Sequence, residues 1–499
     1  MKPARPTPPA PADLRPTGAA VDPAFANPKV AAKARAALQA FQAGQGDVAV
    51  RALAEARALA PTAPILWKLS GDVHVKLGAR AAAIPFYEKA AELDPTDMET
   101  AANLGAVLRD SGRPFDAMVW LNRVITNDPT NPLALGNAAV AFMDVGEVSL
   151  GLTCAEEALK LSPGYESAQW ARAFALFLLG RWPEAWAAHE QRTEQLRRSG
   201  GLRDIPGVRW DGSPLDGRTL LITVEQGAGD QLQFVRYLPR IPKTGGRVVL
   251  ETYPALVPLM DGVAGADAVI PRDSAFPAYD VHLPIMSLPH VLAVGAALDG
   301  ERCPYLAPPG ACPAPLREAL DQHRTRHGAA PRVGVVWAGA PGHANDHNRS
   351  APFGLAAYLF ARPGIAWVSL QKGPGTAALE TLDPAIRDGV LDVGALVDDF
   401  GQTAHALADL DAVIAVDTSV AHLAGAMGIP TWLMVPFAPD WRWGTGADRT
   451  PWYPSMRLVR QPAVGAWGPV AERLTSDLAA WVAARAADPA APAPVFSGP

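Results

Sequence analysis

The 499-residue chain carries little that would tie it to metal, membrane or nucleic acid. Its three cysteines, Cys154, Cys303 and Cys312, lie far apart with no CxxC pair. Neither a disulfide framework nor a zinc site is indicated, and a reducing compartment fits. No run of about 18 apolar residues occurs, and the N-terminal stretch lacks the apolar core of a signal peptide. Charged residues make up 19% of the chain and the net charge is −6. That balance offers no general attraction to nucleic acid or anionic lipid. The expectation is a cytoplasmic protein with no membrane span and no nucleic-acid partner.

What is abundant is apolar content, 49%, over a length that calls for two or three domains. Residues 1–28 hold eight prolines among alanines and small polar residues, and 488–499 look alike. Such composition buries too little to offset ordering entropy, so both ends are expected to be disordered tails. Between residues 30 and 200 a helical pattern repeats. Gly44, Gly78, Gly112, Gly146 and Gly180 fall 34 apart, and Pro61, Pro95, Pro129 and Pro163 keep the same step. Alanines recur at 49, 83, 117 and 185, where two helices must approach, with Gly151 in that place in the fourth unit. A 34-residue helix-turn-helix period with Trp67, Gly71, Ala83, Tyr87, Ala90 and Pro95 resembles the tetratricopeptide repeat, in about five copies. Stacked units present a concave face to a protein partner; a spacer or a dimerisation arm is the plainer alternative.

From about residue 203 the pattern changes to short apolar runs alternating with helical stretches. TLLITVE, RVVLE, DAVI and DVHLP precede a proline-rich segment; RVGVVWAG, IAWVSLQ, DAVIAVD, PTWLMVP and MRLVRQ follow it. Continuous apolar runs between helices imply parallel sheets covered on both faces. Two α/β lobes are expected, at 203–310 and 316–486, with a cleft between them.

Ligands in such lobes bind where strands end. In the first, EQGAGDQLQF places Gly227 and Gly229 in a tight turn and Asp230 at a helix start, where it is either a helix cap or a group facing the cleft. In the second, WAGAPGHANDHNRS carries His343, Asn345, His347 and Arg349 in a polar loop, and SLQKGP ends a strand at Gln371 and Lys372. The spacing of His343 and His347 would suit a metal only on a helix, and the neighbouring glycine and proline argue against one there. DAVIAVD ends at Asp417, after which Thr418 and Ser419 can cap the helix through Val420 and His422. The free amides at such a helix start favour an anion by about 0.3–2 kcal/mol. Phosphate is the expected ligand, with Arg349 and Lys372 completing the clamp. His422 is read as a structural histidine or a site residue. Trp441 and Trp443, flanking Arg442, either stack on a base or sugar or pack a proline-rich loop.

Together these segments, with DTSVAHLAGAMGIP and PFAPDWRW, resemble the two-Rossmann (GT-B) glycosyltransferases related to the heptosyltransferases, in the branch fused to tetratricopeptide repeats. The resemblance implies an α-helical solenoid followed by a GT-B enzyme using a nucleotide-sugar co-substrate without metal or further cofactor. It makes Asp230 the general base and Arg349 and Asp417 to His422 the donor-binding residues. It also implies a protein acceptor, flagellin among the candidates, held by the repeats. On chemistry alone His343 or His347 competes with Asp230 as base. A non-catalytic scaffold and transfer to a lipid-linked saccharide are the alternative functions.

Overall fold

The computed structural model describes residues 23–295 and 303–488, apart from 199, 201, 204 and 344, together with 491 and 493. The tails expected at 1–28 and 488–499 lie mostly outside the described residues. Residues 23–28 correct the first of them: Pro23–Ala26 forms a short 3-10 turn and Pro28 opens a helix capped by Asn27, whose Oδ1 accepts from Lys29 N at 3.0 Å. Ala24 and Phe25 pack against the cluster containing Val30 and Ala34, so this stretch has apolar surface to bury after all. The described residues divide into two compact units between Ala175 and Leu176.

The first unit is built of helical pairs: Pro28–Gln42 with Gly46–Leu59, Pro64–Lys76 with Arg80–Leu93, Met98–Asp110 with Pro114–Asn127, and Pro132–Asp144 with Val148–Leu161. At each hairpin the chain turns through a left-handed glycine: Gly44, Gly78, Gly112 and Gly146 have φ of +74°, +80°, +76° and +89°. An L-residue there costs about 1–2 kcal/mol, which gives the 34-residue period a physical cause. Where the paired helices touch, Ala49, Ala83 and Ala117 are fully buried. A Cβ on Gly151 would stand 2.7 Å from the Ala139 carbonyl, so the fourth unit needs glycine at that place. Inside the array Tyr87 donates its hydroxyl to Asp72 Oδ1 at 2.7 Å.

Two further helices follow, Glu166–Leu178 and Trp182–His189, joined by a turn at Gly180 with φ +71°. The second of them belongs to the second unit, where its aromatic side chains are packed. Phe177 stacks on Trp441 with centroids 4.2 Å apart, and Trp182 and Trp186 meet Trp452 edge-on at 5.7 and 6.4 Å. Trp441 is thereby core, 3% exposed, and serves packing rather than a bound base or sugar. The next helix, Arg192–Arg198, is fastened to the α/β part by a buried ion pair. Arg192 donates from Nη2 to Glu225 Oε1 at 2.7 Å and from Nε to Oε2 at 3.0 Å.

The second unit contains two all-parallel sheets. The first comprises β1 (Val208–Arg209), β2 (Thr219–Thr223), β3 (Arg247–Thr252), β4 (Ala268–Pro271) and β5 (Val281–Pro284), in the order β1-β5-β2-β3-β4. The second comprises β6 (Arg332–Val336), β7 (Ala366–Ser369), β8 (Leu391–Asp392), β9 (Ala412–Val416), β10 (Thr431–Val435) and β11 (Met456–Arg460), in the order β11-β10-β9-β6-β7-β8. Nine of these strands fall on the apolar runs read from the sequence. β1 and β8 have two residues each, too short for any periodic signal. In the second sheet the chain runs outward from β6 to β8, then returns to β9 beside β6 and runs outward the other way. That is the order of a doubly wound sheet, whose ligand crevice opens at the reversal point, outside the ends of β6 and β9. The first sheet reverses in the same way between β2 and β5. The helix Trp467–Ala487 packs on the second sheet, burying Val470, Leu474, Leu478 and Trp481.

Candidate functional site

The ends of β2, β6, β7 and β9 converge on one cavity of about 650 Å³, within the range of small-ligand sites. The five-stranded lobe contributes Gly227 to Asp230; the other lobe contributes the segments around Gly339, Lys372 and Thr418.

After β2 the chain turns sharply. Gln226 holds φ +58°, a left-handed conformation unusual outside glycine, and its carbonyl accepts from the Tyr253 hydroxyl. Gly227 then caps the helix Ala228–Phe234, and its N–H donates to Asp230 Oδ2 at 2.8 Å. Asp230 therefore serves the helix start and lines the cavity at once. Its other oxygen accepts from Arg442 Nη2, which reaches across from the second lobe. Arg442 also donates to Asp440 Oδ1 at 2.9 Å. Burial works against its charge, but Asp440, Asp230 and Asp417 more than offset that and raise its pKa above that of an ordinary arginine. Gly229 also lines the cavity. It faces His422, and a Cβ there would lie 2.7 Å from the imidazole Cδ2. Glycine is required at this position so that the two lobes can meet.

In the second lobe the helix Ser419–Ala426 begins immediately after β9. Thr418 occupies the capping position with extended backbone, yet its hydroxyl donates to the Val416 carbonyl at 3.2 Å and no side chain caps the helix. The expectation of a Thr/Ser cap is corrected. The consequence favours a ligand, because Thr418, Ser419 and Val420 line the cavity with the first-turn amides unserved by any cap. Arg349 lines it too, steadied by Nη1 donating to the Asp417 carbonyl at 3.0 Å and by Asp346. Lys372 is an exposed lining residue whose Nζ donates to the Val397 carbonyl. Three cations thus face two carboxylates, Asp230 and Asp417, around one helix start.

Several anticipated ligand groups have other occupations. Gln371 is 2% exposed and clamps strand ends: Oε1 accepts from Trp337 N and Ala338 N, and Nε2 donates to the Ala338 and Lys372 carbonyls. Its position on the wall is real, but its polar groups are spent. The polar loop after β6 uses its side chains largely to hold its own shape. Ser350 bonds Gly339 N and Asp346, and Asn348 bonds the Ala438 carbonyl. Contrary to expectation a one-turn helix forms there, Asp346–Arg349, beyond the glycine and proline and without a side-chain cap from Asn345. His343 lies before that helix, so the two histidines do not share a helical face. His343 lines the cavity, while Asn345 and His347 do not, and His347 is exposed. Among the described residues no group of three or more metal-ligand side chains converges. Trp443 is 1% exposed and tilts against the His422 ring, centroids 5.4 Å apart, so it too is given to packing. His422 is 5% exposed, bonded through Nδ1 to the Tyr453 hydroxyl at 2.8 Å, with Nε2 3.7 Å from Asp417 Oδ1.

Two residues that organise the site were not anticipated in those roles. Arg442 was legible only as a polar interruption between two tryptophans. Tyr453 gave no signal, because its partner is 31 residues away and the contact exists only after folding.

No model of a known protein family matches the chain. Among solved structures it is similar to the MamA protein, 19% identical over 36% of this chain and 98% of that one with a TM-score of 0.32. It is similar also to YrrB, described as a tetratricopeptide-repeat protein with an unusual peptide-binding site, 17% identical over 33% and 85% with a TM-score of 0.29. A tetratricopeptide repeat and J domain-containing co-chaperone, DNJ1 of Fusarium oxysporum, is 29% identical over 124 residues, 23% of this chain and 24% of that relative. Protein FlbA of Caulobacter vibrioides is 30% identical over 431 residues, 81% of this chain and 70% of the relative. A match over that length takes in repeats and α/β lobes alike, and the chain belongs to the FlbA family.

Proposed function

We propose that this chain is a metal-independent glycosyltransferase with GT-B architecture. It transfers a sugar from a nucleotide-sugar donor to a Ser or Thr hydroxyl of an acceptor protein held by the repeat array, with flagellin among the acceptors the resemblance implies. The observation that carries the reading is the uncapped helix start at Ser419, set at the reversal point of a doubly wound sheet and ringed by Arg349, Lys372 and Arg442.

In the transfer step the acceptor oxygen bonds to the anomeric carbon while the bond from that carbon to the phosphate oxygen breaks. The hydroxyl proton passes to Asp230, and the nucleotide departs with its added negative charge at the helix start. Positioned proton acceptance contributes about 10²- to 10⁴-fold. The preorganised amides and cations supply the larger electrostatic part. His343, on the same wall, is the competing base; His347, away from the cavity, is not.

One observation favours the scaffold alternative: Asp230 is already engaged by Arg442 and by the Gly227 amide. The test is nucleotide release from a panel of nucleotide sugars in the presence of unfolded protein acceptors. Release that falls at least 100-fold in Asp230→Asn, but much less in His343→Ala, supports the reading. A chain that releases no nucleotide from any donor is a scaffold.

A further inference from the structure

His422 stands in the first turns of the helix Ser419–Ala426, and its ring is held from three directions. Gly229 of the other lobe abuts Cδ2, Trp443 lies against the ring, and the Tyr453 hydroxyl is 2.8 Å from Nδ1. The remaining nitrogen, Nε2, is left beside Asp417 on the cavity wall.

Behind Tyr453 lie two further buried groups, Tyr305 and Arg236. Tyr305 donates its single hydroxyl proton to the Leu232 carbonyl at 2.9 Å and accepts from Arg236 Nη2 at 2.9 Å. The Arg236 guanidinium also covers both phenol rings, 4.7 Å from that of Tyr305 and 4.8 Å from that of Tyr453. Tyr453 is fully buried, and burial together with Tyr305 pushes its phenol well above the ordinary range, so the hydroxyl keeps its proton at neutral pH. With the Tyr305 proton committed to Leu232, the Tyr453 proton has two acceptors before it, the Tyr305 oxygen and His422 Nδ1, the latter at 2.8 Å.

We propose that Tyr453 is a positioning residue for His422: by donating to Nδ1 it places the ring proton on Nε2, which then donates a hydrogen bond to the anion at the start of the helix. The inference rests on the phosphate site proposed above. It adds a mechanism by which a residue remote from the ligand sets the tautomer and rotation of one that touches it.

The test uses the full chain labelled with ¹⁵N-histidine, which has ten histidines to resolve, with His422 assigned by its loss in His422→Gln. Long-range ¹H–¹⁵N spectra are expected to show a single Nε2-protonated tautomer for His422, and a mixture in Tyr453→Phe. The four probes for binding are ADP, UDP, GDP and CMP. The nucleotide that binds is expected to lose about 3- to 10-fold in affinity in Tyr453→Phe, the worth of one hydrogen bond. In His422→Gln, whose amide nitrogen stands where Nε2 stands, adding Tyr453→Phe should cost less than about 2-fold. His422→Asn keeps a partner for Tyr453 and removes the group at the cavity, so it should bind as weakly as Tyr453→Phe or worse. An unchanged tautomer in Tyr453→Phe, an equal loss in the His422→Gln background, or full binding by His422→Asn overturns the proposal. Binding of none of the four probes overturns the phosphate site itself, and the spectrum, which needs no ligand, separates that failure from a failure of Tyr453.

Discussion

The guanidinium of Arg442 joins the carboxylate of Asp230, at a helix start beneath the five-stranded sheet, to that of Asp440 in its own lobe. One buried cation therefore spans the cleft and holds the residue proposed as the base. Asp230→Asn removes the charge but keeps an oxygen for the Gly227 amide, and Arg442 retains Asp440. The expected cost is about 1–3 kcal/mol of stability, measured as a lower urea midpoint. Nucleotide release should fall far more than this cost explains, by at least 100-fold, with the chain still folded.

Gly229 gives a second prediction, about shape rather than charge. A methyl group there meets the His422 ring 2.7 Å away, and the ring cannot retreat because Trp443 lies beside it and Tyr453 holds Nδ1. Gly229→Ala should cost about 1–3 kcal/mol through overpacking and should weaken nucleotide binding. A wild-type urea midpoint for this variant would show that the lobes meet less closely than described.

The repeat array offers a pair of glycines that separates backbone from contact effects. Gly78 has φ +80° with nothing within 4 Å of an added Cβ, whereas a Cβ on Gly71 would stand 2.6 Å from the Tyr87 ring. Gly78→Ala should cost about 1–2 kcal/mol from the left-handed backbone alone. Gly71→Ala should cost more, because Tyr87 is 2% exposed and bonded to Asp72, so it has little freedom to move. Chemical denaturation of the two variants side by side checks the order.

Asp72 makes stability depend on pH in a direction opposite to the usual carboxylate. Burial raises its pKa above the ordinary aspartate value, although Lys68 and the Tyr87 hydroxyl pull the other way. The folded state therefore binds this proton more tightly than the unfolded state. Its favourable contribution is complete below the unfolded value and is lost as pH rises through the folded one. Asp72→Asn keeps an oxygen for Tyr87 and carries no charge. It is expected to be at least as stable as the parent at pH 7, and to remove this residue's stability gain between pH 7 and pH 4. Urea midpoints across that range decide it.

Much of the architecture was legible because it rests on short-range geometry. The 34-residue step of Gly44, Gly78, Gly112, Gly146 and Gly180 is the step of a left-handed hairpin residue, and each of the five has positive φ. Apolar runs such as DAVIAVD became strands because parallel sheets are buried on both faces. The helix start after Asp417 was readable as a strand end followed at once by Thr418 and Ser419, although neither side chain caps the helix as expected. What escaped depends on residues far apart in the chain. Gly229 was read as part of a glycine turn allowing close approach, but the group that approaches, His422 in the other lobe, could not be named from the sequence. Gln371 was read as a ligand group, and folding spends its amide on Trp337 and Ala338. Trp441 was left between stacking on a ligand and packing, and Phe177 decides the matter by lying flat against it.

The central claim is that the cavity at the Ser419 helix start holds the phosphates of a nucleotide. Calorimetric titration of the full chain with ADP, UDP, GDP and CMP tests it most directly, repeated on Lys372→Ala and Arg349→Met. The account predicts that one of these nucleotides binds at a single site and that each substitution weakens it about tenfold or more, as loss of a charge-assisted contact should. Saturable binding that neither substitution alters, or no heat with any of the four at millimolar concentration, would contradict it.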